Sequence, residues 1–195
     1  MNKDKIKAMM KEQVKKLDSL IEKMNIPEPA MLPIKDITNV EESVLDNIKE
    51  LNKKPIVYLI MLKENLNNLN SPEDITKIFT KTKKNQKESG KGDWYISDIN
   101  ASNWKLDSRC LYVGRSYGKI ITRMKQHLAV GNLSRNTYSL WLKDWFKESK
   151  LPREIEIYFL EFENMSSEHI YMIEDLLWKS LSPLFGRPGK SPRSK

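Results

Sequence analysis

The apolar positions of the chain change period several times, and each change marks an element. Met10, Val14, Leu17, Ile21 and Met24 recur at alternating steps of four and three, with lysines and acids between them. That stripe predicts an amphipathic helix over residues 1–25, narrow enough to be of coiled-coil type. It stops at "NIPEPAMLP", where Pro27, Pro29 and Pro33 make a stiff connector. Asn39 followed by Glu42 resembles a capping box, and Val40, Val44, Leu45, Ile48 and Leu51 give the next helix its apolar face. In "PIVYLIML", residues 55–62, Ile56, Tyr58 and Ile60 alternate with Val57, Leu59 and Met61, so both faces are apolar. Such a strand is expected in the middle of a sheet, paired on both sides.

Further along, "SPEDITKIF" opens another capped helix and "DWYISDI" is a candidate short strand, while "RCLYVG" and "EIEIYFLEF" are stronger ones. Helices are predicted over 119–130, 137–148 and 167–181. Three good strands among five or six helices make an α+β or mixed architecture with a small sheet.

Composition narrows what such a chain does. At 39% hydrophobic content, 195 residues suit one domain plus an appendage. The longest apolar run, 55–62, is far short of the ~20 residues a membrane span needs. The lysine-rich start has no apolar stretch of a secretory signal behind it. Cys110 is the lone cysteine, which excludes an internal disulfide, and with two histidines it cannot complete a structural zinc site. A soluble, cytoplasmic protein without membrane association is the expectation. The net charge of +8 draws heavily on residues 77–91 and on the tail with Arg187, Lys190, Arg193 and Lys195. Nucleic acid is the partner such patches suit, although lysine-rich loops also serve solubility, and charge alone does not separate the two.

Two places concentrate candidate chemistry. On the last predicted helix, Glu174 has Ile170 and Tyr171 behind it and Leu177 and Trp178 ahead, so its helical neighbours are apolar. A carboxylate there is costly to bury unless something positive meets it. It is either an edge glutamate reaching solvent or a lysine, or a metal ligand or acid–base group. The second place is "LYVGRSYGKIITRMKQHL", residues 111–128, where Gly114 ends a strand and Gly118 permits a tight turn. Arg123 and His127 then share a helix face, beside the stripe of Ile121, Met124 and Leu128. An arginine can fork onto phosphate oxygens, and a histidine can exchange protons near neutral pH. Taken alone, such a pair is more often two surface groups.

Tyr112, Val113 and Gly114 ("YVG"), then Arg123 and His127, then Glu174 with Pro183 nine residues later, together resemble the GIY-YIG nuclease superfamily, including its restriction-type members. The resemblance spans residues 55–189. It implies a three-stranded antiparallel sheet flanked by helices, an α+β fold behind the N-terminal amphipathic helix. Residues 1–36 then form a helical arm and Pro-rich connector. Residues 37–195 form the nuclease-like domain, with a basic insertion over 63–105 and a basic tail. Tyr58 of "PIVY" fills the first-motif position, with Ile56 where the family has glycine; Tyr95 of "GDWY" is the rival. Gly186 stands where an asparagine often follows the proline, and the stretch from "YVG" to Arg123 is one residue longer than in familiar members.

The activity implied is metal-dependent endonucleolytic hydrolysis, with double-stranded DNA as the expected partner. Glu174 would hold one Mg²⁺ or Mn²⁺ ion, and Tyr58 would act as base or orient the attacking water with His127 managing its proton. Tyr112 would pack and hydrogen-bond around the scissile phosphate, and Arg123 would stabilise its developing charge. Two alternatives stay open: a catalytically weak or inactive nuclease-like module that binds nucleic acid, and an interaction protein that homodimerises through the N-terminal helix.

Overall fold

The computed structural model describes residues 28–64, 77–78, 80–82, 84–85, 108–131, 139–149 and 151–186. The stripe of residues 1–25, "DWYISDI" with Tyr95, and the basic tail lie outside these described residues. Four strands form one antiparallel sheet: β1 (Ala30–Ile34), β2 (Pro55–Leu62), β3 (Cys110–Tyr117) and β4 (Ile155–Glu161), in the order β1-β4-β2-β3. The doubly apolar β2 lies between β4 and β3, as its two apolar faces require.

The expected three-stranded sheet is therefore wrong by one strand. The addition, β1, comes from the stretch that reads as a Pro-rich connector. Leu32 and Ile34 pair with Ile157 and Ile155 of β4 and are buried, while Met31 and Pro33 stay exposed. Proline lacks an N–H to give a ladder, so it is confined to edge strands such as this one. The prolines hid a five-residue alternation that only its partner strand makes useful.

Two 3-10 segments follow, a turn at Ile37–Asn39 and a longer one at Glu42–Lys53 with non-helical dihedrals at Ile48, separated by extended Val40 and Glu41. The expected Asn39–Glu42 capping box does not form. Asp36 collects the local donors instead, accepting from Thr38 N–H at 2.9 Å, Thr38 Oγ1 at 2.7 Å and Asn39 Nδ2 at 2.7 Å. Among the described residues, helix is present at 77–78, 80–82 and 84–85, and three α-helices are bounded: α1 (Ile120–Leu128), α2 (Leu142–Glu148) and α3 (Ser167–Leu181). α2 begins later than the apolar spacing suggests, after Trp141 in a left-handed conformation with φ 54°.

The sheet has an apolar layer on each face. Ile56, Tyr58, Ile60 and Leu62 look toward the main core with Ile155, Ile157 and Phe159, where Leu45, Met124, Trp145, Phe146 and Phe185 meet them. Val57, Cys110 and Val113 look the other way, onto Phe162, Ile170 and Trp178. α1 thus lies on one side of the sheet and α3 on the other, with β3 as the edge strand between them. No helix among the described residues is long and apolar enough to cross a membrane.

Candidate functional site

The β2–β3 register sets Tyr58 opposite Gly114 and Ile60 opposite Tyr112, so the two tyrosines share one face as a diagonal pair. Their rings stack with centroids 6.0 Å apart. Gly114 lies inside β3 rather than at its end, and its missing side chain is what lets the pair form. A Cβ there would stand 2.6 Å from the Tyr58 hydroxyl and 2.5 Å from Tyr112 Cε1. Gly114→Ala is accordingly expected to cost about 1–3 kcal/mol through overpacking. Chemical denaturation would read it as a lower midpoint at unchanged slope; an unaltered midpoint would mean the tyrosines have room to move.

Tyr112 is closed in from a second side. After α3, the backbone N–H groups of Leu184 and Phe185 donate to the Cys110 and Leu111 carbonyls at 3.1 and 2.9 Å, laying the chain along β3. Gly186 follows at φ +91°, and a Cβ on it would approach Tyr112 Cε2 to 2.9 Å. The glycine in place of the expected asparagine thus has a local cause: the backbone is left-handed and the tyrosine ring occupies the space.

α1 brings the other half of the cluster. Gly118, at φ +72°, makes the turn out of β3, and Asn52 Oδ1 accepts the Ile121 N–H at 3.1 Å near the start of the helix. Ile120, Met124 and Leu128 anchor the helix in the core. His127 is no surface group: it is fully buried, with Nε2 2.8 Å from the Tyr58 hydroxyl and its ring 4.8 Å from that of Tyr112. Nδ1 finds no partner among the described residues. Arg123, one turn earlier, donates to Gln126 Oε1 at 3.1 Å and lies beside both tyrosine hydroxyls.

Burial governs the electrostatics. It pushes both tyrosine hydroxyls up, and Arg123 offsets only part of the shift. Burial and then Arg123 hold His127 well below the ordinary imidazole value of 6.5, so the ring is neutral at physiological pH. Although burial works against its charge, Arg123 has its pKa raised by the two tyrosines. The unfolded chain therefore takes up a proton at His127 near pH 6.5 that the folded chain refuses, and by linkage stability falls as pH drops through that value. The melting temperature of the native protein should decline more between pH 7.5 and 5.5 than that of His127→Gln. Parallel pH profiles would show that the ring protonates freely in the fold.

Glu174 comes from the opposite side of the sheet. α3 is capped by Ser166, whose hydroxyl accepts the His169 N–H at 3.4 Å. Two turns on, the Glu174 side chain is 12% exposed and ion-paired with Arg115. The Arg115 guanidinium also lies 4.8 Å above the Tyr171 ring. Burial pushes the Glu174 carboxyl up, and Arg115 only partly counters it. From the other face of the sheet, the same carboxylate is felt electrostatically by both tyrosine hydroxyls and by Arg123.

Tyr58, Tyr112, Arg123 and His127 are thus one contiguous cluster, with Glu174 at its margin. Sequence reasoning missed Arg115 and Gln126. Arg115 was recoverable: two residues after Val113 on an alternating strand, it faces the helix that bears Glu174. Gln126 carries no such signal, being a polar residue in a helix that happens to face inward.

Among the described residues no three metal-binding side chains gather. Glu174 alone still fits a hard cation that keeps waters and draws its remaining ligands from substrate phosphates. Its buried charge, incompletely offset by Arg115, is the feature that favours one. Comparison with protein-family models, curated proteins and solved structures returns no match.

Proposed function

We propose that this chain is a metal-dependent endonuclease of the GIY-YIG kind, hydrolysing phosphodiester bonds in double-stranded DNA within the cytoplasm. The observation that carries the reading is the 2.8 Å contact between the Tyr58 hydroxyl and His127 Nε2, buried against Tyr112 and beside Arg123. A hydroxyl held by a neutral imidazole next to a fixed cation suits proton transfer at an anionic substrate.

In this account Tyr58 orients a water for attack on phosphorus. As the water oxygen bonds, its proton passes to the Tyr58 oxygen while the tyrosine's own proton moves to a bare His127 Nε2. Neither the phenolate nor the imidazolium is stable at rest, because burial disfavours both. The shift proceeds only as negative charge builds on the phosphate nearby. Arg123 meets that charge, and the Tyr112 hydroxyl donates to a phosphate oxygen. The leaving oxygen takes its proton from solvent. Glu174 would hold the one Mg²⁺ or Mn²⁺ ion, which when bound supplies further charge neutralisation at the phosphate.

A second reading, a nuclease-like module that only binds nucleic acid, is favoured by one observation: Glu174 already has a cationic partner in Arg115. Supercoiled plasmid separates the two. The nuclease reading expects Mg²⁺- or Mn²⁺-dependent nicking that EDTA abolishes. Tight DNA binding with no nicking in either ion would establish the binding module.

A further inference from the structure

Arg115 has a place in the site that its position in the strand does not announce. It follows Gly114 in β3 but points to the other face of the sheet, where Val57 is its register partner and α3 its cover. Two residues one turn apart on α3 hold it: Glu174 by an ion pair and Tyr171 by its ring face, 4.8 Å from the guanidinium carbon. The Arg115 side chain is 24% exposed and that of Glu174 12%, so the pair sits at the boundary with solvent. It is therefore open to exchange. A divalent cation reaching Glu174 meets an arginine already there, and the two positive charges cannot share one carboxylate at contact distance without repulsion.

We propose that Arg115 is a positioning residue that acts as the resident counter-cation of Glu174 and gives it up when a divalent ion binds. This rests on the reading of Glu174 as the ion's ligand. Without the metal, Arg115 keeps a carboxylate flanked by Ile170, Tyr171, Leu177 and Trp178 charged and aimed outward. With the metal, the guanidinium swings off Glu174 while the Tyr171 ring keeps it near the site. The exchange makes the free protein a poor metal binder and favours loading when substrate phosphates add their own oxygens.

The test is Mn²⁺ binding to the full-length protein in the absence of nucleic acid, measured by isothermal titration and by the loss of the free-ion electron paramagnetic signal. Arg115→Met keeps an unbranched apolar stem and removes the competing charge. It should tighten Mn²⁺ binding about tenfold, the order expected for losing a charge-assisted hydrogen bond at a half-screened site. Arg115→Lys keeps the charge and should remain within a few-fold of the native protein. Glu174→Gln should bind no Mn²⁺ at this site in either background.

Equal or weaker binding by Arg115→Met, with a melting curve that shows it folded, overturns the exchange and leaves Arg115 a structural partner of α3. If Arg115→Met does not fold, Arg115→Gln, which keeps hydrogen-bonding capacity without charge, carries the same expectation. Native protein and both variants all failing to bind Mn²⁺ would overturn the exchange together with the role of Glu174 as metal ligand. Equal binding overturns the exchange alone.

Discussion

Glu174→Gln is expected to abolish phosphodiester cleavage while leaving the protein folded. The amide has the shape of the carboxylate but not the charge that would hold a cation, and among the described residues no cluster of carboxylates stands ready to replace it. The neighbouring Asp175 is engaged with Lys179 at 2.6 Å. The structural cost should be limited. Arg115 loses its ionic partner but stays partly exposed over Tyr171, so it is not stranded as an uncompensated buried charge. The melting temperature should move by no more than about 2–4 °C, the shift that ~1 kcal/mol produces in a domain of this size. Cleavage in saturating Mg²⁺ and circular dichroism on the same preparation decide the matter. Turnover that survives removes Glu174 from the reaction, and a variant that collapses makes its role structural.

Tyr58→Phe is expected to slow cleavage by about 10²-fold or more, the scale of a lost acid–base group, with DNA binding retained. Phenylalanine keeps the ring packed over Gly114 and against Tyr112, so the sheet should not notice the change. The hydroxyl it lacks is the group bonded to His127 Nε2, and leaving that buried nitrogen unpaired costs about 1–3 kcal/mol. A core tyrosine whose hydroxyl merely satisfied a neighbour would show that stability loss and nothing more. Cleavage must therefore be compared at a temperature where the variant is fully folded. Tyr95→Phe, in the polar "GDWY" segment, should change the rate little. The opposite pattern would hand the first-motif role to Tyr95 and make β2 purely structural.

The parts of this fold that were legible in the sequence are those where one residue set serves a single purpose. β2 reads as central because both alternating sets are apolar, and it is paired on both sides. α3 reads to its boundaries because its start is capped by serine and its stripe is unbroken. Tyr58, Tyr112, Arg123 and His127 are legible through a motif; the pairing of β2 with β3 gathers the two tyrosines, and α1 brings Arg123 and His127. β1 was obscured because Pro33 serves an edge strand that sequence alone cannot distinguish from a linker. Asp36 was overlooked because a carboxylate two residues before Thr38 competes with the Asn39–Glu42 box, and the shorter loop wins. Gly114 looked like a strand terminator because a turn and a close packing contact demand the same residue. Arg115 shows in the alternation of β3, whereas its pairing with Glu174 joins segments far apart in the chain and leaves no periodic trace.

The measurement that bears most directly on the central claim is the initial rate of Mg²⁺-dependent plasmid nicking by native protein, Tyr58→Phe and Glu174→Gln, purified identically and confirmed to bind the same DNA. If the tyrosine–histidine pair and the carboxylate belong to one hydrolytic site, native protein nicks and EDTA stops it. Tyr58→Phe is then slower by about 10²-fold or more, and Glu174→Gln is inactive. Nicking that is equal in all three proteins, or absent from native protein that binds DNA well, would contradict it.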